Sequence, residues 1–194
     1  MPHRTVLISG AGIAGPTLAY WLLRRGLTPT LIERAPKFRE GGYIIDFWGI
    51  GFDVAEKMGL IPMLREAGYV IDRVEFVAED GHQRSAMAAN VFQRSLGDRF
   101  LSIKRGDLAH AIYRTVERET ETIFGDSIAE IKPAADCVEV TFDQGPPRRF
   151  DLVVFIPRFA LHCSEAMTRS RTISATTPLH FRPADIRSAT SILI

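Results

Sequence analysis

The 194 residues are 46% hydrophobic and carry 24 basic against 23 acidic side chains, a formal net charge of +1. That balance describes an ordinary globular chain able to bury a core without disulfide or metal staples, and it argues against a nucleic-acid surface. Cys137 and Cys163 form no CxxC pair and no apolar run approaches the roughly 18 residues that cross a bilayer, so a reduced, cytoplasmic protein without a membrane span is expected.

In chain order, Thr5 to Ser9 is a β-rich run, Gly10 to Gly15 a glycine loop, and Ile13 to Arg25 carries apolar residues at helical spacing. Gly26 stops that helix, and Arg24 and Arg25 complement the negative end of its dipole. A second strand is expected over Thr30 to Glu33, opened by Pro29. Arg39 to Gly42 reads as loop, Phe52 to Leu60 and Pro62 to Ala67 as short helices. Arg73 to Ala78 and Arg84 to Ala88 flank Asp80-Gly81 as a hairpin. Phe100 to Lys104 is the next strand, and Asp107 is expected to cap a helix with Leu108, Ala111, Ile112 and Val116 on one face. Ile123-Phe124, Ile128 to Ile131, Val138 to Phe142 and Asp151 to Phe155 complete an alternating α and β pattern.

Between the first strand and the first helix stands Gly10-Ala11-Gly12-Ile13-Ala14-Gly15, a GxGxxG loop, and Glu33 ends the next strand 18 residues after Gly15. In that setting Gly10 permits the tight turn, Gly12 lets the backbone approach a pyrophosphate, and Gly15 lets helix and strand pack closely. The helix N-terminus then offers N–H groups and a positive dipole end to phosphates. Glu33 is placed to accept hydrogen bonds from a ribose and to repel a 2′-phosphate, which leaves FAD or NAD as the ligand.

The longer stretch VLISGAGIAGPTLAYWLLRRGLTPTLIER resembles the N-terminus of the single-component, FAD-dependent aromatic hydroxylases. Arg39 with Gly41-Gly42 and Asp46, the segment ending KMGL at Leu60, and SIKRGDLAHAI from Ser102 to Ile112 keep the same family's order. The resemblance covers about residues 3 to 155. It implies an α/β, Rossmann-like FAD-binding domain over residues 1–155, incomplete, with residues 70–99 forming part of an inserted β-rich substrate domain. It further implies that Arg105 contacts the flavin cofactor and that Arg39 and Asp46 lie near the nicotinamide and the flavin; Arg34, next to Glu33, reads either as a partner of the adenosine or as an exposed strand-end arginine. The implied activity is hydroxylation of an aromatic or polycyclic small molecule, with NAD(P)H as co-substrate. The flavin carries that chemistry, so no catalytic side chain and no metal site is expected; neither HExxH nor GxSxG occurs. His82 and His110 read as surface or helix-face histidines, and Phe47, Trp48 and Phe52 as core ahead of the alternative, the lining of an aromatic substrate pocket.

Family members continue a strand like DLVV into a Gly-Ala-Asp-Gly segment; here Asp151-Leu152-Val153-Val154 runs into Phe155-Ile156-Pro157-Arg158. All 15 glycines precede residue 146, and 21 of the 23 acidic residues precede Ile156. Residues 156–194 therefore have the composition of an out-of-frame or disordered tail, and the expectation is a truncated form with impaired activity. The competing reading is a catalytically silent dinucleotide-binding module that needs a partner chain. A short NAD-dependent reductase ranks last, because Tyr20, Tyr43, Tyr69 and Tyr113 are followed four residues later by Arg24, Phe47, Arg73 and Glu117, never by the lysine that such enzymes use.

Overall fold

The computed structural model describes residues 4–38, 41–71, 73–88 and 95–156. Its centre is a four-stranded parallel sheet in the order β11-β1-β2-β7, built from β1 (Thr5–Ser9), β2 (Thr28–Glu33), β7 (Glu121–Phe124) and β11 (Leu152–Phe155). Parallel strands need crossovers, and α1 (Ala14–Leu23) supplies the one between β1 and β2.

Side chains alternate across a strand, and both faces of this sheet are covered. Val6, Ile8 and Leu31 point to one face, into a core shared with Ala19 and Tyr20 of α1 and with Leu108, Ala111 and Ile112 of α4 (Arg105–Arg114). Leu7, Ile32 and Val153 point to the other, against Val140, Phe142 and Phe150. Those partners come from an antiparallel sheet, β10-β9-β8, formed by β8 (Ile128–Pro133), β9 (Val138–Phe142) and β10 (Arg148–Phe150). Each fully buried aliphatic side chain contributes about 1.5–3 kcal/mol, so these two clusters supply the driving force for folding.

The first core also takes in Phe52 and Ala55 of α2 (Gly49–Lys57) and Leu64 of α3 (Ile61–Ala67). The antiparallel pair of β3 (Ile44–Trp48) and β6 (Phe100–Lys104) packs on it, and β4 (Arg73–Val77) and β5 (Gln83–Ala88) form a separate antiparallel hairpin. The fold is thus the α/β, Rossmann-like arrangement expected from the βαβ pattern.

Pro29 sits inside β2 rather than before it, and β7 pairs with β2 only from Thr30 onward, so its missing N–H falls beyond that ladder. Gly26 ends α1 as expected, with φ +74°, its N–H donating to the Leu23 carbonyl at 3.0 Å. Arg24 lies over the Tyr20 ring at 4.1 Å. Asp107 is not a cap: α4 begins at Arg105 after Lys104, and Asp107 stands in the first turn, where its charge suits the dipole. Phe52 is buried at 2% exposure, whereas Trp48, expected in the core, is 54% exposed because it occupies the outward register of β3. Residues 157–194, which include most of the atypical segment, lie outside the described residues. Among the described residues no helix is long and apolar enough to cross a membrane, and no group of three or more His, Cys, Asp or Glu side chains could hold a metal ion.

Candidate dinucleotide site

The fully buried run Val6, Leu7, Ile8 fixes where β1 ends, and the chain turns at Gly10 with φ +113°, a conformation that disfavours any side chain. Its N–H donates to the Ile32 carbonyl at 2.7 Å, tying the loop to the end of β2. A Cβ on Gly15 would stand 1.9 Å from the Gly10 carbonyl oxygen, so only glycine lets α1 start this close to the loop. At Gly12 the place of the missing side chain is open: among the described residues the one heavy atom within 4 Å is Nη2 of Arg105, at 3.9 Å.

No side chain caps α1 at Ile13, and no acidic residue stands in its first turn. The first helical bond runs from the Thr17 N–H to the Ile13 carbonyl, and Thr17 Oγ1 donates to that carbonyl at 2.7 Å. The N–H groups of Ala14 and Gly15 therefore have no acceptor within their own helix, and the positive end of the dipole meets no counter-charge in the first turn.

Glu33 closes the other side of the loop. One carboxylate oxygen accepts the Ala11 N–H at 3.2 Å and the other the Ala35 N–H at 3.0 Å. Arg105 arrives from a different part of the chain, as the first residue of α4, directly after β6. Its N–H donates to the Tyr43 carbonyl at 3.0 Å, and its guanidinium reaches Gly12. An arginine at a helix N-terminus is disfavoured by the dipole, so it is best satisfied by an external anion.

The six residues from Gly10 to Gly15, Glu33 and Arg105 are thus brought together. Arg34 is exposed just after β2. Asp46 is a strand residue. It lies on β3 opposite Ser102 of β6 and accepts the Ser102 hydroxyl at 2.7 Å. Arg39 lies outside the described residues. Sequence reasoning missed the clasp behind Arg105: a Cβ on Gly106 would meet the Gly41 carbonyl oxygen at 2.2 Å, and one on Gly42 would meet Arg105 Cβ at 3.6 Å. The glycines at 41, 42 and 106 were the available signal. Nearby, a hydrogen bond with Tyr69 raises the pKa of the half-buried Lys104.

No family model matches the chain. It is 36% identical over 152 residues to an uncharacterized protein of Mycobacterium tuberculosis, a match covering 78% of this chain and 41% of that protein. It is 34% identical over 156 residues to a flavin-dependent monooxygenase of Legionella longbeachae, covering 77% and 38%. Among solved structures, the tetracycline destructase Tet(55) superposes with a TM-score of 0.71 at 31% identity, covering 88% of this chain and 42% of that one. HpxO of Klebsiella pneumoniae, solved with FAD and uric acid, shares the fold at 21% identity and a TM-score of 0.63, covering 78% and 38%. The chain spans about two fifths of the length of the curated relatives it matches. By sequence and by fold, these residues are homologous to the corresponding part of the FAD-dependent flavin monooxygenases.

Proposed function

We propose that the chain binds FAD at the glycine loop and is the cofactor-holding part of an NAD(P)H-dependent monooxygenase that hydroxylates an aromatic or polycyclic small molecule. The observation that carries this reading is Nη2 of Arg105 standing 3.9 Å from the place a Cβ on Gly12 would take, beside the N-terminus of α1. That pairing provides a cradle that a side chain at Gly12 would fill and a donor set suited to a diphosphate, with the Glu33 carboxylate at its other edge suited to a ribose diol.

When bound, the flavin supplies the redox and oxygen-activating chemistry. The chain's own residues do the holding. Gly10, Ala11, Gly12, Ile13, Ala14 and Gly15 present backbone to the diphosphate, Arg105 neutralises it, and Glu33 takes the ribose with Arg34 beside the adenosine. Asp46, fixed by Ser102, and Arg39 belong on this reading to the flavin and nicotinamide side, and the β4-β5 hairpin to the substrate-domain insertion.

The test is to saturate the full chain with FAD, desalt it, measure retained flavin absorbance, and follow NADPH oxidation. Retention that is lost in Arg105→Ala supports the reading. Retention unchanged in both Arg105→Ala and Gly15→Ala contradicts it. A second reading, a dinucleotide-binding module acting with a partner chain, is favoured by aromatic side chains exposed just before β3 and at its far end, Tyr43 at 69% and Trp48 at 54%. Flavin retained without NADPH oxidation favours that module.

A further inference from the structure

The Ala11 N–H sits in a residue that is only 3% exposed, and the acceptor it meets is Glu33 Oε2 at 3.2 Å. The second carboxylate oxygen, Oε1, accepts the Ala35 N–H at 3.0 Å. One side chain therefore bridges two backbone segments that no ladder bond joins, the loop before α1 and the turn after β2. A third tie holds the same strand end: the Glu33 carbonyl accepts the Gly125 N–H at 2.9 Å.

From this we propose that Glu33 is a positioning residue for the glycine loop as well as an acceptor for a ribose. It acts through Ala11, holding the loop in its anion-receiving shape before any nucleotide arrives. A buried N–H that loses its acceptor is costly, so without Glu33 the loop moves Ala11 toward water and away from the geometry that aligns the Gly12 and Ala14 backbone. The functional half of the proposal rests on the dinucleotide reading above; the structural half does not.

The two roles of Glu33 predict opposite signs for a ligand that has no ribose. If Glu33 only binds ribose, Glu33→Ala removes a negative charge near the site and leaves inorganic pyrophosphate bound equally or more tightly. If Glu33 holds the loop, the same variant binds pyrophosphate more weakly despite the lost repulsion. We expect about a tenfold loss of pyrophosphate affinity, and about tenfold faster hydrogen exchange of the Ala11 amide in the ligand-free full chain. Pyrophosphate affinity that is unchanged or improved in Glu33→Ala overturns the proposal. If the variant does not fold, exchange in the unaltered protein decides: protection of the Ala11 amide supports the clamp, and exchange at the rate of an unstructured amide overturns it. If the unaltered protein binds no pyrophosphate, the dinucleotide reading fails, while Ala11 exchange still tests the clamp.

Discussion

In the β11-β1-β2-β7 sheet the residues of β1 are shut off from solvent on both faces, with Val6, Leu7 and Ile8 each at 0% exposure. In the β3-β6 pair, Ile45, Phe47, Leu101 and Ile103 turn toward the core, while Ile44 and Trp48 face outward at 38% and 54%. The first region holds the fold and the second offers surface. The candidate site lies where the two meet: the glycine loop follows a strand of the buried sheet, and Arg105 follows a strand of the open pair. The strand that feeds the loop is thus fixed by deep packing, and the cation that faces the loop is carried by the less enclosed part of the molecule.

The sharpest test of that contrast is truncation on each side. Ile8→Ala should cost about 2–5 kcal/mol of unfolding free energy, because the site is enclosed and collapses poorly. Trp48→Ala on the open face should shift it by no more than about 0.5 kcal/mol, as surface substitutions do. Chemical denaturation of the two variants measures both.

Arg105→Ala separates binding from stability. Removing a charge-assisted contact worth about 1.5–3 kcal/mol should weaken FAD affinity by about 10- to 100-fold. The denaturation midpoint should stay within error of the parent. Gly15→Ala should do the reverse in part: the clash with the Gly10 carbonyl costs about 1–3 kcal/mol of stability and displaces the loop, so affinity and midpoint fall together.

The smallest expected effects are electrostatic. The bidentate Arg148 contact holds the Glu121 carboxyl below its usual range, against a partial opposing effect of burial. Hydrogen bonds from Thr5 do the same for Asp151. At Asp126 burial alone would raise the pKa, but N–H donors from Ser127, Gln144, Gly145 and Asp143 outweigh it and lower it. Groups lowered in the folded state bind protons more readily when unfolded, so their stabilisation is present above the ordinary carboxylate range and fades as pH falls through the lowered values. Thermal melts should therefore show no loss from these groups between about pH 6 and 8 and a decline below about pH 4. Arg148→Ala, which breaks a mostly exposed pair, should cost about 0.2–1 kcal/mol and flatten part of that decline.

How far the sequence revealed all this follows the same division. The run from Thr5 to Glu33 was legible because a strand buried on both faces reads as continuous apolar residues, and because glycine spacing and the acid at position 33 report backbone geometry directly. Trp48 was misplaced and β3 was passed over because Ile44-Ile45 breaks the alternation that marks a half-buried strand. The three residues of β10 are too few to show a period. Asp107 looked like a cap because its residue type favours that position, but the strand-to-helix junction at Lys104-Arg105 starts the helix earlier. The approach of Arg105 to Gly12 spans 93 positions and is a product of tertiary packing, which local pattern cannot give.

The central claim is that the glycine loop with Arg105 and Glu33 recognises the adenosine diphosphate half of FAD. Calorimetric titration of the full chain with FAD, ADP and riboflavin tests it most directly. The account predicts that ADP retains most of the binding free energy of FAD, that riboflavin shows no measurable binding, and that Arg105→Ala weakens FAD and ADP alike. Riboflavin binding as tight as FAD, or ADP binding indifferent to Arg105→Ala, would contradict it.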